Sequence, residues 1–254
     1  MKLALPARAK LNLELEVVSR RDDGFHELRT TFQAVELHDL LQVEDAAEAS
    51  LTSDGFHIKR GDENSVLRAQ RTLEESAHRK LPARFHLHKR IPPGSGLGGA
   101  SSDAAAVLRG LAAIYRLDVD LAAVAREVGA DVPFFLLGGR ARAEGRGEHL
   151  SPLEMDPAWF VIAWPGIELS TADVYRAWDE VKGEGPNHLR RAAEIVEPAL
   201  EDFASRLGAG WQMTGSGSAF FIRCTGHDEA NRKVAAIESL RCWTSITQAI
   251  GPWA

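Results

Sequence analysis

The sequence predicts an α+β fold in two parts, and three observations carry that prediction. The first 90 residues are dominated by short alternations of apolar and polar residues that suit strands. A glycine-rich loop at 92–102 then feeds directly into an amphipathic helical stretch. A turn-rich segment around Ser151 and Pro152 precedes a fresh strand and further helices, without the regular strand–helix rhythm of a doubly wound parallel sheet. At 254 residues the chain suits one large domain or two sharing an interface. The break at 151/152 favours two, 1–151 and 152–254.

Taken in order, Leu11 to Val18 alternates apolar and acidic residues as a strand, and RRDDG at 20–24 is a turn. Between Asn64 and Ala77, Val66, Leu67, Ala69, Gln70 and Leu73 fall at near-helical spacing, with Asn64 or Ser65 available as the cap. Arg84 to His88 alternates again. The clearest helix runs from about Ser102 to Arg116, with Val107, Leu108, Leu111, Ile114 and Tyr115 as its apolar stripe and Asp103 in its first turn. Another, Leu121 to Val128, ends at Gly129. In the second part Trp159 to Trp164 reads as a strand, 172–181 as a helix and GEGP at 183–186 as a loop. Helices follow to about Leu207, and Ala219 to Arg223 closes the reading as a strand after a second glycine-rich loop.

Composition narrows the function classes. With 44% hydrophobic and 26% charged residues the chain is ordinary and globular, and a net charge of -6 disfavours a general polyanion-binding surface, so nucleic acid is not an expected partner. Two cysteines, Cys224 and Cys242, make neither a disulfide framework nor a structural zinc site, which suits a reducing cytoplasm. Arg8 and Lys10 interrupt the apolar start before it reaches the length of a signal-peptide core. Runs such as VPFFLL (132–137) and WFVIAW (159–164) fall far short of the ~18 apolar residues that a membrane span requires.

The most informative segment is PPGSGLGGASSDAAAVLRGL, residues 92–111. Gly94, Gly96, Gly98 and Gly99 let backbone N–H groups approach a ligand, and the helix that follows offers its positive dipole end, so the segment is suited to hold an anion. Gly94, Gly96 and Gly99 also satisfy GxGxxG, but two prolines precede them and the flanking elements do not form the βαβ unit which that fingerprint needs. No lysine follows the glycines, so a Walker loop is absent.

This loop closely resembles that of the GHMP kinases, whose hallmark reads PxGxGLGSS. Two further stretches resemble motifs of that superfamily in the same order, PARAKLNLELEV at 6–17 and MTGSGSAFF at 213–221. DDGFHEL (22–28), GADVPFF (129–135) and WPGIELSTADVY (164–175) are similar in particular to the 4-diphosphocytidyl-2-C-methylerythritol kinases. The resemblance implies a first domain like ribosomal protein S5 domain 2 and a ferredoxin-like second one. It also implies ATP and a small-molecule alcohol held between them.

Carried over residue by residue, the resemblance makes Asp131 the general base, although Asp ahead of Val132 and Pro133 would equally suit a helix N-cap. Lys10 would stand beside Asp131 and stabilise charge on the alcohol oxygen, and Asn12, on the same strand face, would orient the alcohol. Pro92, Pro93, Gly94, Ser95, Gly96, Leu97, Gly98, Gly99, Ala100, Ser101 and Ser102 would hold the phosphates of ATP, and Asn64 and Lys89 would line its adenine pocket. Phe25 and His26 would take the cytosine, with Tyr175 over its other face; Thr171, Gly215, Ser216 and Gly217 would contact the substrate. Relatives usually have Tyr at Phe25 and often Gly at Ser95 and Ala100, and 176–210 matches the family weakly. Magnesium is expected to arrive with ATP, because the nine histidines are scattered and no cluster marks a dedicated metal site.

Overall fold

The computed structural model describes residues 1–58 and 64–253, arranged around two sheets. The chain opens with two antiparallel strands, β1 (Lys2–Arg20) and β2 (His26–Asp45), joined by the turn at 21–25. Where the sequence suggested short strands, these run 19 and 20 residues, because shifts in register absorb the places where the alternation falters. The shifts lie between Arg8 and Lys10, between Asn12 and Glu14, and between Val17 and Ser19. Such bulges twist a strand and re-aim its side chains. Two of them bracket Lys10 and Asn12.

β3 (Ser50–Gly55) lies parallel to β4 (Ala83–Lys89), with α1 (Ser65–Ala77) between them in the chain. The Asn64 side chain caps α1, accepting from the Val66 N–H at 2.9 Å. β1 runs along one edge of β2, and the other edge is shared by β4 and β5 (Arg140–Gly145). β6 (His149–Leu153) pairs with β5 and completes the first sheet. The alternation in β5 escaped the sequence reading because its inward residues are Ala141, Ala143 and Gly145, which carry little hydrophobic signal.

Against this sheet pack α2 (Gly99–Tyr115), α3 (Leu121–Val128) and α4 (Val132–Leu137), through a core that includes Leu73, Phe85, Leu87, Val107, Leu111 and Phe134. α2 begins at Gly99 rather than Ser102, so Asp103 lies beyond the first turn and does not serve the helix dipole. The Asp120 carboxylate accepts from Ala122 and Ala123 at the start of α3.

The second sheet, ordered β10-β7-β9-β8, is antiparallel throughout. It contains β7 (Trp159–Trp164), β8 (Gln212–Met213), β9 (Phe220–Cys224) and β10 (Trp243–Gln248). With it go α5 (Thr171–Val181), α6 (Arg190–Val196), α7 (Ala199–Leu207) and α8 (His227–Ala236). The first sheet extends to Leu153, so a boundary at 151/152 would cut β6; residues 154–158 make the passage between sheets.

Apolar residues of β1 and β2 bind the halves together. Leu15, Val17 and Leu28 share a core with Trp178, Leu189 and Phe203, and Ala9, Leu11 and Val35 share another with Phe160, Ile162 and Phe221. The end of the chain returns to the first half. The Ile250 N–H donates to Ala34 O at 3.1 Å, and Trp253 Nε1 donates to Phe135 O at 2.8 Å, with Arg8 and Arg109 over the Trp253 ring. These contacts anchor α4, the helix that Asp131 precedes.

Candidate active site

A cavity of about 1040 Å³ is lined by residues from both halves. Asn64, the cap of α1, and Lys89 of β4 line it, and every residue from Pro92 to Ser101 contributes. Lys10, Asn12, Phe25, His26, Asp131, Thr171, Tyr175 and Gly215 to Gly217 complete the set predicted from sequence. Ser102 is the exception: buried in α2, it does not reach the cavity wall.

Lys10 and Asn12 point the same way from β1, and Lys10 Nζ donates to Asn12 Oδ1 and to Gly96 O, the latter at 2.8 Å. Asn12 is fixed in turn by donating from Nδ2 to Thr30 Oγ1 at 2.8 Å, and its backbone N–H donates to Thr214 Oγ1 at 2.9 Å. Asp131 Oδ2 lies 3.8 Å from the Lys10 ammonium, and the Asp131 side chain makes no capping bond to α4. Asp131 thus stands at the N-cap position of α4, as its place in the sequence allows, but its carboxylate is one-third exposed in the cavity and does not cap the helix. Burial lowers the Lys10 pKa from the ordinary lysine value, and the facing Asp131 charge opposes that shift.

The glycine loop is welded to the second glycine-rich stretch. Ala219 N donates to Ser95 O at 3.0 Å and Ser218 N to Gly94 O at 3.3 Å, while Lys10 N ties the loop to β1 through Leu97 O at 3.0 Å and Ser95 Oγ closes it on Pro92 O at 2.6 Å. Gly96 has φ +78°, and a Cβ there would stand 2.2 Å from Thr214 O. Its lack of a side chain therefore serves the joint between two loops, a constraint that the sequence reading attributed to ligand approach alone.

Lys89, expected beside the adenine, is not free to follow a ligand. Its ammonium is buried between Asp39 and Asp103, donating to both, at 2.7 Å to Asp103 Oδ2. Asp39 also accepts from the Arg90 and Ile91 N–H groups at 2.6 and 2.8 Å. Two carboxylates thus share one ammonium under the start of α2. Burial, reinforced by the like charge of Asp39 and opposed by Lys89, pushes Asp103 up to about 7. Burial lowers the Lys89 pKa as well, but the two carboxylates outweigh it and the net shift is upward. Sequence reasoning missed Asp39 and Asp103 as partners of Lys89, since nothing local links the three.

At the other side of the cavity His26 Nε2 is 2.8 Å from Asp179 Oδ1, and its ring stacks on Tyr175 with centroids 4.8 Å apart and planes at 23°. One face of Tyr175 is therefore taken by His26, and the residue also packs against the core of the second half while lining the cavity. Burial, and then the charge of Asp131, raise the phenol pKa. Phe25 is 54% exposed on the cavity rim. Thr171 Oγ1 and Ser216 Oγ meet at 3.0 Å, so α5 and the 213–218 loop are latched beside it.

The described residues include no group of three or more His, Cys, Asp or Glu that could hold a metal, and no helix long and apolar enough to cross a membrane.

Comparison with known proteins gives this geometry its family. Residues 64–139, from the cap of α1 to the end of α4, match the GHMP kinases N terminal domain. A crystal structure of 4-(cytidine 5'-diphospho)-2C-methyl-D-erythritol kinase is 40% identical and superposes with a TM-score of 0.83, covering 98% of this chain and 100% of that one. Homoserine kinase from Cytophaga hutchinsonii, 17% identical with a TM-score of 0.70 over 99% of this chain and 95% of that one, shares the fold. The 4-diphosphocytidyl-2-C-methyl-D-erythritol kinase of Chromohalobacter salexigens is 35% identical, over 94% of this chain and 88% of its own length. The enzyme of that name from Thermus thermophilus is 43% identical over 93% of this chain and 92% of its own. Identity at this level along nearly the whole length, on a shared two-sheet fold, makes the chain a member of the 4-diphosphocytidyl-2-C-methyl-D-erythritol kinase family of GHMP kinases.

Proposed function

We propose that this protein transfers the γ-phosphoryl group of ATP to the 2-hydroxyl of 4-diphosphocytidyl-2-C-methyl-D-erythritol, a step of the non-mevalonate route to isoprenoid precursors, in the cytoplasm. The observation that carries the reading is the uncapped Asp131 carboxylate, 3.8 Å from a buried lysine ammonium and in one cavity with a glycine loop that opens a helix. Asp131 accepts the hydroxyl proton as the oxygen attacks the γ-phosphorus, the bond to the β-phosphate oxygen breaks, and ADP departs. Lys10 offsets the negative charge that develops on the alcohol oxygen. Asn12, already oriented by Thr30 and Thr214, hydrogen-bonds that alcohol.

Backbone N–H groups of the loop from Pro92 to Ser101 and the N-terminus of α2 hold the phosphates of ATP, and Asn64 and Lys89 border the adenine. Magnesium, when bound with ATP, would neutralise phosphate charge; Ser101 is an oxygen donor that this cavity offers it. The cytosine stacks at Phe25, with His26 at its edge and Tyr175 on its other side, and Thr171 and Gly215 to Gly217 close over the acceptor. Two domains meeting at the cavity, joined through 154–158, suit such a two-substrate site. Two free cysteines fit a reducing compartment.

A coupled ADP-release assay with Mg-ATP tests this, run with the cytidylyl acceptor beside homoserine, mevalonate and galactose. Turnover confined to the cytidylyl acceptor supports the reading; preference for a molecule without cytidine removes the roles given to Phe25, His26 and Tyr175.

A further inference from the structure

Arg20, Arg68, Arg146 and Arg176 all line the cavity, and they differ in what already holds them. Arg20 Nη1 lies 3.2 Å from Asp179 Oδ2, and Arg176 Nη1 lies 2.8 Å from Asp173 Oδ1. Arg68 stands on α1, the side that Asn64 caps. Arg146 occupies the turn between β5 and β6, where its backbone N–H donates to Glu148 Oε2 at 2.6 Å. Its Nε is 3.7 Å from Glu148 Oε1, near enough for attraction and too far for a hydrogen bond. Among the described residues the terminal nitrogens of Arg146 donate no hydrogen bond to the protein, and the guanidinium lies over the Phe25 ring, 4.9 Å from its centroid.

A guanidinium held over an aromatic ring, with Asp23 and Glu148 near it but no hydrogen bond from its terminal nitrogens, can offer its donor fork to the oxygens of a phosphate. The adjoining residue, Gly147, passes the reacting centre: a Cβ there would lie 3.4 Å from Asp131 Oδ1. Arg146 therefore stands between the ring that would stack the cytosine and the carboxylate that would take the hydroxyl proton. In a cytidine diphosphate ester of an alcohol, the group lying between base and reacting hydroxyl is the diphosphate.

We propose that Arg146, shelved on Phe25, is a specificity residue that binds the diphosphate of the acceptor. The assignment rests on the cytidylyl-acceptor reading above. It predicts a division of labour, in which Phe25 serves the base and Arg146 serves the charge.

Calorimetric titration of CDP, cytidine and ATP into wild type, Arg146→Ala, Arg146→Lys and Phe25→Ala tests it. Arg146→Ala should weaken CDP about tenfold, the scale of one charge-assisted pair, and change cytidine and ATP less than about twofold. Arg146→Lys should recover part of the loss, and added salt should weaken CDP less in Arg146→Ala than in wild type. Phe25→Ala should weaken CDP and cytidine together. Parallel losses of CDP and cytidine in Arg146→Ala would reduce the arginine to a prop for Phe25 and overturn the assignment, as would unchanged CDP binding. Wild type that binds neither CDP nor cytidine would instead strike the cytidylyl reading itself.

Discussion

Gly96 and Thr214 meet so closely that a Cβ on the glycine would lie 2.2 Å from the threonine carbonyl oxygen. One residue belongs to the glycine loop of the first half and the other to the loop between β8 and β9, so the cavity is shaped by a joint at which no side chain fits. The same joint carries the hydrogen bond from Lys10 Nζ to Gly96 O.

Gly96→Ala should therefore cost far more than its backbone angle alone. Gly208, at φ +84° and ψ -167° with nothing within 4 Å of a built Cβ, supplies the control: Gly208→Ala should cost about 1–3 kcal/mol of stability through its dihedral angles alone. Gly96→Ala, with its φ of +78° and a backbone oxygen in the way, should lower the thermal midpoint by clearly more and abolish most turnover. Equal midpoints for the two variants would show that the loops part without cost.

Asp131→Asn should reduce kcat by at least ~100-fold, the lower range for losing a general base. Its effect on folding should come only through the lost charge facing the buried Lys10 ammonium, because the Asp131 side chain makes no capping bond and is partly exposed. Kinetics and thermal unfolding on the same preparation check the separation. A large drop in midpoint with near-normal turnover would reverse the roles.

Lys10 gives the alkaline limb of the rate profile a direction. Because burial holds its pKa below the ordinary lysine value, the ammonium loses its proton at a lower pH than a solvated lysine does. The fall of kcat/KM on the alkaline side should accordingly begin below pH 10.5. A profile flat to that pH would mean that the charge of Lys10 is not needed in the reaction.

Asp103 makes a prediction about stability. Its folded pKa, about 7, exceeds the ordinary aspartate value of 3.8, so between those values the folded state holds a proton that the unfolded state has lost. Stability contributed by that proton is fully present below about pH 4 and is lost as pH rises through 7. Asp103→Asn removes the titration. The difference in unfolding free energy between variant and wild type should shift in the variant's favour from pH 4 to 7, by at most about 1.4 kcal/mol per unit, and then level off. Denaturant melts across that range measure it, and a difference independent of pH would contradict the burial argument.

Much of the site was legible in the sequence because its signals are local. Asn64 reads as a cap from its place ahead of an apolar spacing, and it caps α1. Lys10 and Asn12 share a face because side chains alternate along a strand, and they share a hydrogen bond. Gly129 ends α3 where the sequence put it. Other features carried weak signals or none. β5 buries alanines, which mark no strand by themselves. The start of α2 moved to Gly99 because the last loop glycine enters the helix with Ala100 and Ser101, and Ser102 went inside with it.

What the sequence alone determined is what neighbouring residues impose on one another: the glycine loop ahead of a helix, the alternation of β1, the caps, and motif order close enough to mark the family. The tertiary structure decided which charges share a buried space. Lys89 lies between Asp39 and Asp103, and Arg146 over Phe25, only because strands distant in the chain pair in one register. The strength of a charge depends on how much water its surroundings exclude. Exclusion of water is a property of the packed fold, not of any stretch of chain.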